Sequence, residues 1–197
     1  MELGYGTEYE KFILRKIFQE ICEKYKIESA FEYPKNDLLG RLTLVPTSRK
    51  AQYDLIWNFC EFENQTDPSL MISKMIRLSN KYLILITQNK RNPGVIGHFF
   101  FHLLIGRKWD HGDLNKMSYK SVLKILKKFE NLRIIQISAF DVPWFILDVY
   151  ECGKIFRNLP FLKNKLKGLQ ESRFEKWPLF VKMWLAHHHF LLIEKES

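Results

Sequence analysis

Two strongly apolar segments on either side of an amphipathic one constrain the fold of this chain most. They are Tyr53–Phe59, YDLIWNF, and Tyr82–Thr87, YLILIT, and each is bounded by polar residues. Short runs that are nearly all apolar are typical of strands buried on both faces of a parallel sheet. Between them, Asp67 and Pro68 predict the N-cap and first turn of a helix that continues to about Asn80. Together they predict a βαβ unit with a right-handed crossover.

Helices and strands are predicted to alternate along the rest of the chain. A capping box at Thr7 and Glu10 predicts a first helix over Glu8–Tyr25. Further strands are predicted at Glu28–Tyr33, Leu42–Val45, Arg133–Ser138 and His188–Glu194, and further helices from about Val95, from Ser118 to Glu130, over Trp144–Cys152 and over Trp177–Ala186. This alternation predicts an α/β fold. We expect one domain over residues 1–197, with a lid or insertion at about residues 90–117.

Composition narrows the class of protein. The chain has 197 residues, 46% of them hydrophobic, which is enough for one domain with a sizeable core. Its longest apolar run, Phe99–Ile105, is interrupted by His102 and is far shorter than the roughly 20 residues that a spanning helix needs. The first residues, MELGYGTEYEK, do not resemble a secretory signal. We therefore expect a cytoplasmic protein.

Charge and cysteine content leave two further questions. The formal net charge is +9, and basic residues are densest between Lys154 and Lys176. A nucleic acid or an anionic membrane surface could bind such a stretch, but the pattern favours a solvated basic face, because no arginine-rich tail or known nucleic-acid-binding module is present. The three cysteines, Cys22, Cys60 and Cys152, are too widely spaced for a CxxC motif. We expect them to be free thiols.

Several segments occur in the order of one known family. Phe31–Tyr33 and the loop Pro34–Gly40 match a first strand with its cofactor loop, and Tyr53–Ile56, YDLI, matches a fourth strand that commonly reads aromatic-Asp-Leu-Ile/Val. The segment YLILIT matches a fifth strand, and RIIQIS with HHFLLIE match a final antiparallel pair. In this order the chain resembles the class I S-adenosylmethionine (SAM)-dependent methyltransferases. The resemblance implies a Rossmann-like, mostly parallel sheet with an antiparallel C-terminal strand pair.

The chain departs from that family in two ways. Its first loop, YPKNDLLG, keeps only Gly40 where the family has a glycine-rich loop. The interval before Tyr53 is also too short for the two strands and two helices that the family usually places there. Leu42–Val45 ends in Pro46 without the carboxylate that would hold the cofactor's ribose. The resemblance therefore implies a fold shortened between its first and fourth strands.

The resemblance also implies roles for individual residues around SAM. Glu61 would be the general base, if the methyl acceptor has to lose a proton. The cofactor-binding residues would be Glu32, Tyr33, Pro34, Asn36, Asp37, Gly40, Asn58 and Phe59. Simpler interpretations remain for several of them: Glu32 as a capping or ion-paired carboxylate, Phe59 as core and Glu61 as surface charge.

The segment Val95–Trp109 would lid the substrate pocket in such a fold. Its apolar character would favour an apolar acceptor, although core packing or contact with an anionic membrane surface also fits the pattern. The candidate substrate or lid residues are His98, His102, Trp109 and His111. His98 and His102 are four residues apart, but HFFFH lacks the glutamate of H-E-x-x-H, so no metal site is predicted.

Three functions fit these patterns. The first is methyl transfer from SAM to a small-molecule acceptor. The second is a methyltransferase-like fold that has lost its cofactor and binds or scaffolds a protein partner, which would explain the missing glycines. The third is a basic module for RNA or an anionic membrane surface, which would use the stretch between Lys154 and Lys176.

Overall fold

The computed structural model describes residues 8–34, 52–109, 111–141 and 174–196. The α-helices in these ranges are α1 (Glu8–Tyr25), α2 (Pro68–Leu78), α3 (Pro93–Leu104), α4 (Tyr119–Leu126) and α5 (Leu179–Leu185). The strands are β1 (Ala30–Glu32), β2 (Tyr53–Phe59), β3 (Ser79–Gln88), β4 (Leu132–Phe140) and β5 (His188–Lys195). Short 3-10 helices cover Phe62–Asn64 and Phe174–Lys176.

The five strands form one sheet in the order β1-β2-β3-β5-β4. Strands β1, β2 and β3 are parallel, whereas β5 runs antiparallel to both of its neighbours. Strand β2, helix α2 and strand β3 follow one another, and the two strands pair in parallel, as the βαβ prediction requires. The predicted α/β class, with a mostly parallel sheet and an antiparallel C-terminal pair, is confirmed.

Alternation along the strands builds a core on each face of the sheet. Leu55 and Trp57 of β2 pack with α1 on one face, and Ile56 between them packs with α2 and α4 on the other. On the α1 face, the rings of Phe18 and Trp57 meet edge to face with centroids 4.9 Å apart. Burying one large apolar side chain of this kind stabilises a fold by roughly 1.5–3 kcal/mol. The three layers hold the ends of β1, β2 and β3 in fixed positions.

Helix α2 begins where its capping sequence predicts. The Asp67 carboxylate accepts hydrogen bonds from the backbone N–H groups of Ser69, at 2.9 Å, and Leu70, at 3.2 Å. Pro68 occupies the first turn, where its missing N–H has no helical partner to lose. These contacts fix the start of the crossover from β2 to β3.

Some predicted bounds are correct and others are not. Helix α1 and strand β2 begin and end as predicted. The helix predicted to reach Asn80 ends at Leu78, because the chain enters β3 at Ser79, which is fully buried and pairs with Tyr53. Helix α4 ends at Leu126 instead of Glu130.

Other predictions lie outside the described residues. These are Leu42–Val45, Trp144–Cys152 and most of the stretch between Lys154 and Lys176. Within the described ranges, none of the helices combines the length and apolarity that crossing a membrane would need.

Candidate active site

The parallel strands β1, β2 and β3 all end at one edge of the sheet, here called the carboxyl edge. Backbone hydrogen bonds continue the pairing past the strand ends, from Tyr33 N–H to Trp57 O at 2.8 Å and from Cys60 N–H to Ile86 O at 2.9 Å. Ligands of open α/β sheets bind outside the carboxyl ends of the strands. Side chains at this edge are therefore the main candidates for ligand binding and catalysis.

Asn58 joins the ends of β1 and β2. Its side chain is fully buried, and its Nδ2 donates a hydrogen bond to the carbonyl of Tyr33 at 2.9 Å. Its Oδ1 has no hydrogen-bond partner among the described residues. A buried amide oxygen without a partner is costly, since desolvation is not repaid. Asn58 is thus an acceptor held ready at the junction of two parallel strands.

Glu32 is the last residue of β1 and is also buried, with 9% of its surface exposed. It lies beside Trp57 in the register of the sheet. Its neighbour Phe31 belongs to the α2 face, so strand alternation directs Glu32 to the α1 face. The two buried polar groups Glu32 and Asn58 therefore lie on adjacent strands at the same edge, on opposite faces.

Glu63 is the most perturbed acid at the carboxyl edge. It lies in the short helix Phe62–Asn64, is 1% exposed, and its Oε1 accepts a hydrogen bond from the N–H of Gln88 at 3.1 Å. Its Oε2 has no partner among the described residues. Burial raises the pKa of Glu63 to about 7, and the nearby charge of Glu61 adds to the effect. A carboxyl that titrates near neutral pH is suited to general acid–base work.

A second group of polar side chains lies along the same edge. The Sγ of Cys60 is 3.4 Å from Nδ1 of His188, and Oδ2 of Asp141 is 3.3 Å from Nδ1 of His187. One atom from each of Asp141, His187 and His188 lies within 4.8 Å of the other two. Cys60 and Asp141 have left-handed φ angles of 52° and 66°, so the chain turns sharply at both places. Strands β2, β4 and β5 thus place thiol, carboxylate and imidazole groups together.

The residues predicted to bind the cofactor lie in different settings. Phe59 is 3% exposed and packs in the core, with its ring centroid 5.1 Å from that of His188. Tyr33 and Pro34 are half-buried just beyond β1. Asn36, Asp37 and Gly40 lie outside the described residues. Glu61, the predicted base, is half-buried two residues before Glu63.

Sequence reasoning missed Glu63. Its only signal was its position close behind a buried strand, in the sequence CEFEN. Its burial comes from long-range contacts, because Asp113 N–H binds the carbonyl of Glu63 at 3.0 Å and brings the loop before α4 over it. That contact joins residues far apart in the chain.

The four predicted lid residues do come together. His98 and His102 lie on α3, and the loop after that helix returns Trp109 and His111 to them. Val95, at the start of α3, is buried, whereas Phe100, Leu103 and Leu104 are exposed. Core packing therefore accounts for only part of this apolar segment.

Two open grooves in the described part of the chain lie away from the carboxyl edge. One is at the opposite edge of the sheet, lined by charged groups that include Asp54, Lys81 and Glu194. The other runs between α4 and the outer strand β4, past Leu126 and Ile135. Neither groove is lined by Glu32, Asn58 or Glu63, so both grooves are separate from the candidate site at the carboxyl edge.

A scan against protein-family models finds no match, and a search of curated proteins finds none either. Solved structures do match. One is magnesium protoporphyrin IX methyltransferase from Synechocystis PCC 6803, with bound S-adenosylhomocysteine (SAH), at 13% identity and a TM-score of 0.41. The match covers 77% of this chain and 50% of that one, so this chain corresponds to half of that enzyme's length.

Two further matches cover more of each chain. A SAM-dependent methyltransferase from Archaeoglobus fulgidus has 14% identity and a TM-score of 0.41, over 92% of this chain and 82% of that chain. A methyltransferase described as putative from Bacillus halodurans C-125 has 10% identity and a TM-score of 0.43, over 85% and 82%. These structures are similar to this chain in fold.

Proposed function

We propose that this chain is a SAM-dependent methyltransferase that acts on a small molecule. The observation that carries the proposal is the hydrogen bond from Asn58 to the carbonyl of Tyr33. It joins the carboxyl ends of the first two parallel strands and leaves a buried amide oxygen there. In α/β sheets of this type, that position is where nucleotide-like ligands bind.

The groups present fit the hydrogen-bonding character of SAM. The cofactor offers hydrogen-bond donors at three places along its length: an ammonium group, two ribose hydroxyls and the adenine amino group. Glu32 and Asn58 offer acceptors at the ends of adjacent strands, one carboxylate and one amide oxygen. We propose that these two side chains hold the cofactor. When bound, SAM supplies an electrophilic methyl group on its sulfonium centre.

The protein's own contribution would be orientation and one proton transfer. Holding an acceptor in line with the methyl group provides most of the rate enhancement in such reactions. An acceptor hydroxyl or amine also has to lose a proton, and Glu63 Oε2 would take it, because its pKa of about 7 leaves a large fraction ionised at neutral pH. Glu61 stays a second candidate for this role, on the surface side of the same short segment.

Cofactor binding can be tested by calorimetry with SAH on the wild type, Asn58→Ala and Glu32→Gln. We expect saturable binding to the wild type and at least about tenfold weaker binding to each variant, the equivalent of one lost hydrogen bond. The matched control is Gln52→Ala, since Gln52 also donates an amide hydrogen bond to a backbone carbonyl, that of Arg77 at 3.0 Å, but lies just before β2, at the opposite edge of the sheet. Its affinity should equal that of the wild type.

Two results would reject the proposal. One is the absence of heat release and thermal shift with millimolar SAH on folded wild-type protein, which would favour a cofactor-free binding protein. The other is an equal loss of affinity in Gln52→Ala. For the base, we expect Glu63→Gln to bind SAH normally and to slow methyl transfer about a hundredfold with any acceptor found by screening.

A further inference from the structure

Three histidines meet at the end of helix α3. His98 and His102 are four residues apart on this helix and so share one face. The distance between their Nε2 atoms is 2.9 Å, and Nε2 of His111 is 3.4 Å from Nε2 of His102. One nitrogen of each ring lies within 4.8 Å of the other two. We call these residues the trihistidine cluster.

From this cluster we infer a binding site for a divalent transition-metal ion of the zinc class, with the three Nε2 atoms as ligands. Zinc–nitrogen bonds of 2.0–2.1 Å at tetrahedral angles place two ligand nitrogens about 3.3 Å apart. The two spacings from His102 lie on either side of that value. These two pairs therefore need only small shifts to bind one ion, and the ligand atoms of the third pair, His98 and His111, lie within 4.8 Å of each other.

The proton on His102 favours a metal over a hydrogen-bonded network. Nδ1 of His102 lies 3.1 Å from the carbonyl oxygen of Lys108, which can only accept, so Nδ1 carries the proton. The neutral ring then has a single lone pair on Nε2, and the Nε2 atoms of both His98 and His111 face it. One of them can donate to that lone pair, but both cannot. A metal ion satisfies all three lone pairs at once.

The same carbonyl contact is the usual support for a metal-binding histidine. Ligating imidazoles almost always donate their second N–H to a carbonyl or carboxylate, which fixes the ring and its tautomer. The ring of Trp109 adds a second support, because it meets His98, His102 and His111 edge-on at centroid distances of 5.8, 5.6 and 4.9 Å. The ligands are therefore held in place before an ion arrives.

The loop that carries His111 is tied down independently. The indole N–H of Trp109 binds the carbonyl of Gly112 at 2.8 Å, and Gly112 has a left-handed φ of 92°. Asp113 N–H then binds the carbonyl of Glu63 at 3.0 Å. These contacts connect the trihistidine cluster to the carboxyl edge of the sheet.

The number of protein ligands predicts how such a site is used. Structural zinc sites have four protein ligands, whereas sites with three keep a position open for water or an incoming group. Three neutral imidazoles also leave the charge of the ion uncompensated. We therefore infer that the fourth position takes water or an anionic donor atom. This inference does not depend on methyl transfer.

The experiment uses untagged full-length protein, stripped with a chelator and titrated with Zn²⁺ or Co²⁺ alone. We expect one ion per chain and, with Co²⁺, the visible absorption of a four-coordinate ion. His111→Gln and His98→Gln should each weaken metal binding at least about a hundredfold. Loss of a residue that only supports a ligand costs about a hundredfold at most, so a larger effect identifies a ligand. Circular dichroism of the metal-free variants confirms that they fold.

The matched control is His187→Gln. His187 belongs to the group with Asp141 and His188, which is the other cluster of possible ligands among the described residues. We expect this variant to keep one ion per chain with unchanged affinity. The inference is overturned by the absence of saturable binding, by unchanged binding in His111→Gln and His98→Gln, or by loss of binding in His187→Gln instead.

Discussion

Glu63 Oε1 accepts a hydrogen bond from the backbone N–H of Gln88 at 3.1 Å, which ties the segment after β2 to the last residue of β3. The contact brings a carboxyl group into the interior at the edge where three parallel strands end. It satisfies one oxygen and leaves the other without a partner among the described residues. Glu63 is thus a structural connection and the best-placed titratable group at the carboxyl edge.

Glu63→Gln should change how stability depends on pH. Burial raises the pKa of Glu63 from 4.5 to about 7, so the folded protein holds a proton that the unfolded chain releases between these values. The free energy of unfolding of the wild type therefore loses about 3 kcal/mol from this residue as pH rises through that window. Glutamine mimics the protonated acid, so in urea unfolding from pH 4.5 to 8 the variant should become progressively more stable relative to the wild type. A difference in free energy of unfolding that stays constant over this pH range would contradict the raised pKa of Glu63.

His189 should have the opposite effect. Burial lowers the pKa of His189 from 6.5 to about 4, because a charged ring would be desolvated, and the nearby charges of His188 and Arg91 lower it further. The unfolded chain then binds more protons between pH 4 and 6.5, and stability rises with pH there by about 3 kcal/mol. His189→Gln should remove this acid-side loss. In the wild type, the effects of Glu63 and His189 on the free energy of unfolding offset each other between about pH 4.5 and 6.5. Over this range we expect the free energy of unfolding to rise with pH in Glu63→Gln and to fall with pH in His189→Gln.

The framework of the fold can be predicted from local sequence. Strand β2 carries large apolar residues on both faces, and Asp67 followed by Pro68 is a local capping signal, so both elements can be predicted without knowledge of their partners. The start of β3 at Ser79 was missed because pairing with Tyr53 extends the strand over three polar residues. Local patterns thus locate elements, and strand pairing sets their ends.

The site is less predictable for the same reason. His98 and His102 share a helical face by spacing alone, but His111 reaches them through a loop whose path depends on Gly112 and on contacts with Glu63. Likewise, a glutamate two residues after another glutamate gives no local sign of being buried. Long-range contacts decide both features.

Asp54→Ala should destabilise the fold by removing the hydrogen bonds that join the start of β2 to the residues before β1. The Oδ2 atom of Asp54 accepts from Ser29 N–H at 2.8 Å, Ser29 Oγ–H at 2.8 Å and Glu28 N–H at 3.1 Å. Partial burial would raise the pKa of Asp54, but these hydrogen bonds outweigh it and the pKa is lowered. We expect a loss of about 2–3 kcal/mol in the free energy of unfolding, since charge-assisted bonds are among the strongest.

Its matched control is Asp67→Ala, which removes an exposed cap with two N–H donors. That change should cost only about 1 kcal/mol. The pKa of Asp54 is lower in the folded protein than its unfolded value of 3.8. Asp54 therefore contributes to the free energy of unfolding above pH 3.8, and this contribution is lost as the pH falls through the pKa of the folded state. Equal costs for the two variants in urea unfolding at pH 7 would contradict this ranking.

Gly112→Ala should disturb the fold and the trihistidine cluster together. A Cβ at Gly112 would lie 2.7 Å from Asn64 Oδ1 and 3.1 Å from Glu63 Cγ, and its φ of 92° is strained for any other residue. We expect a loss of about 1–3 kcal/mol in the free energy of unfolding, together with weaker Co²⁺ binding, because the loop that carries His111 has to move. In Gly97→Ala the new Cβ meets nothing within 4 Å, on a helix that alanine favours by up to about 1 kcal/mol. That control should unfold no more easily than the wild type and bind Co²⁺ equally well, so parallel losses in both variants would show that helix α3, and not the loop, sets the geometry of the cluster.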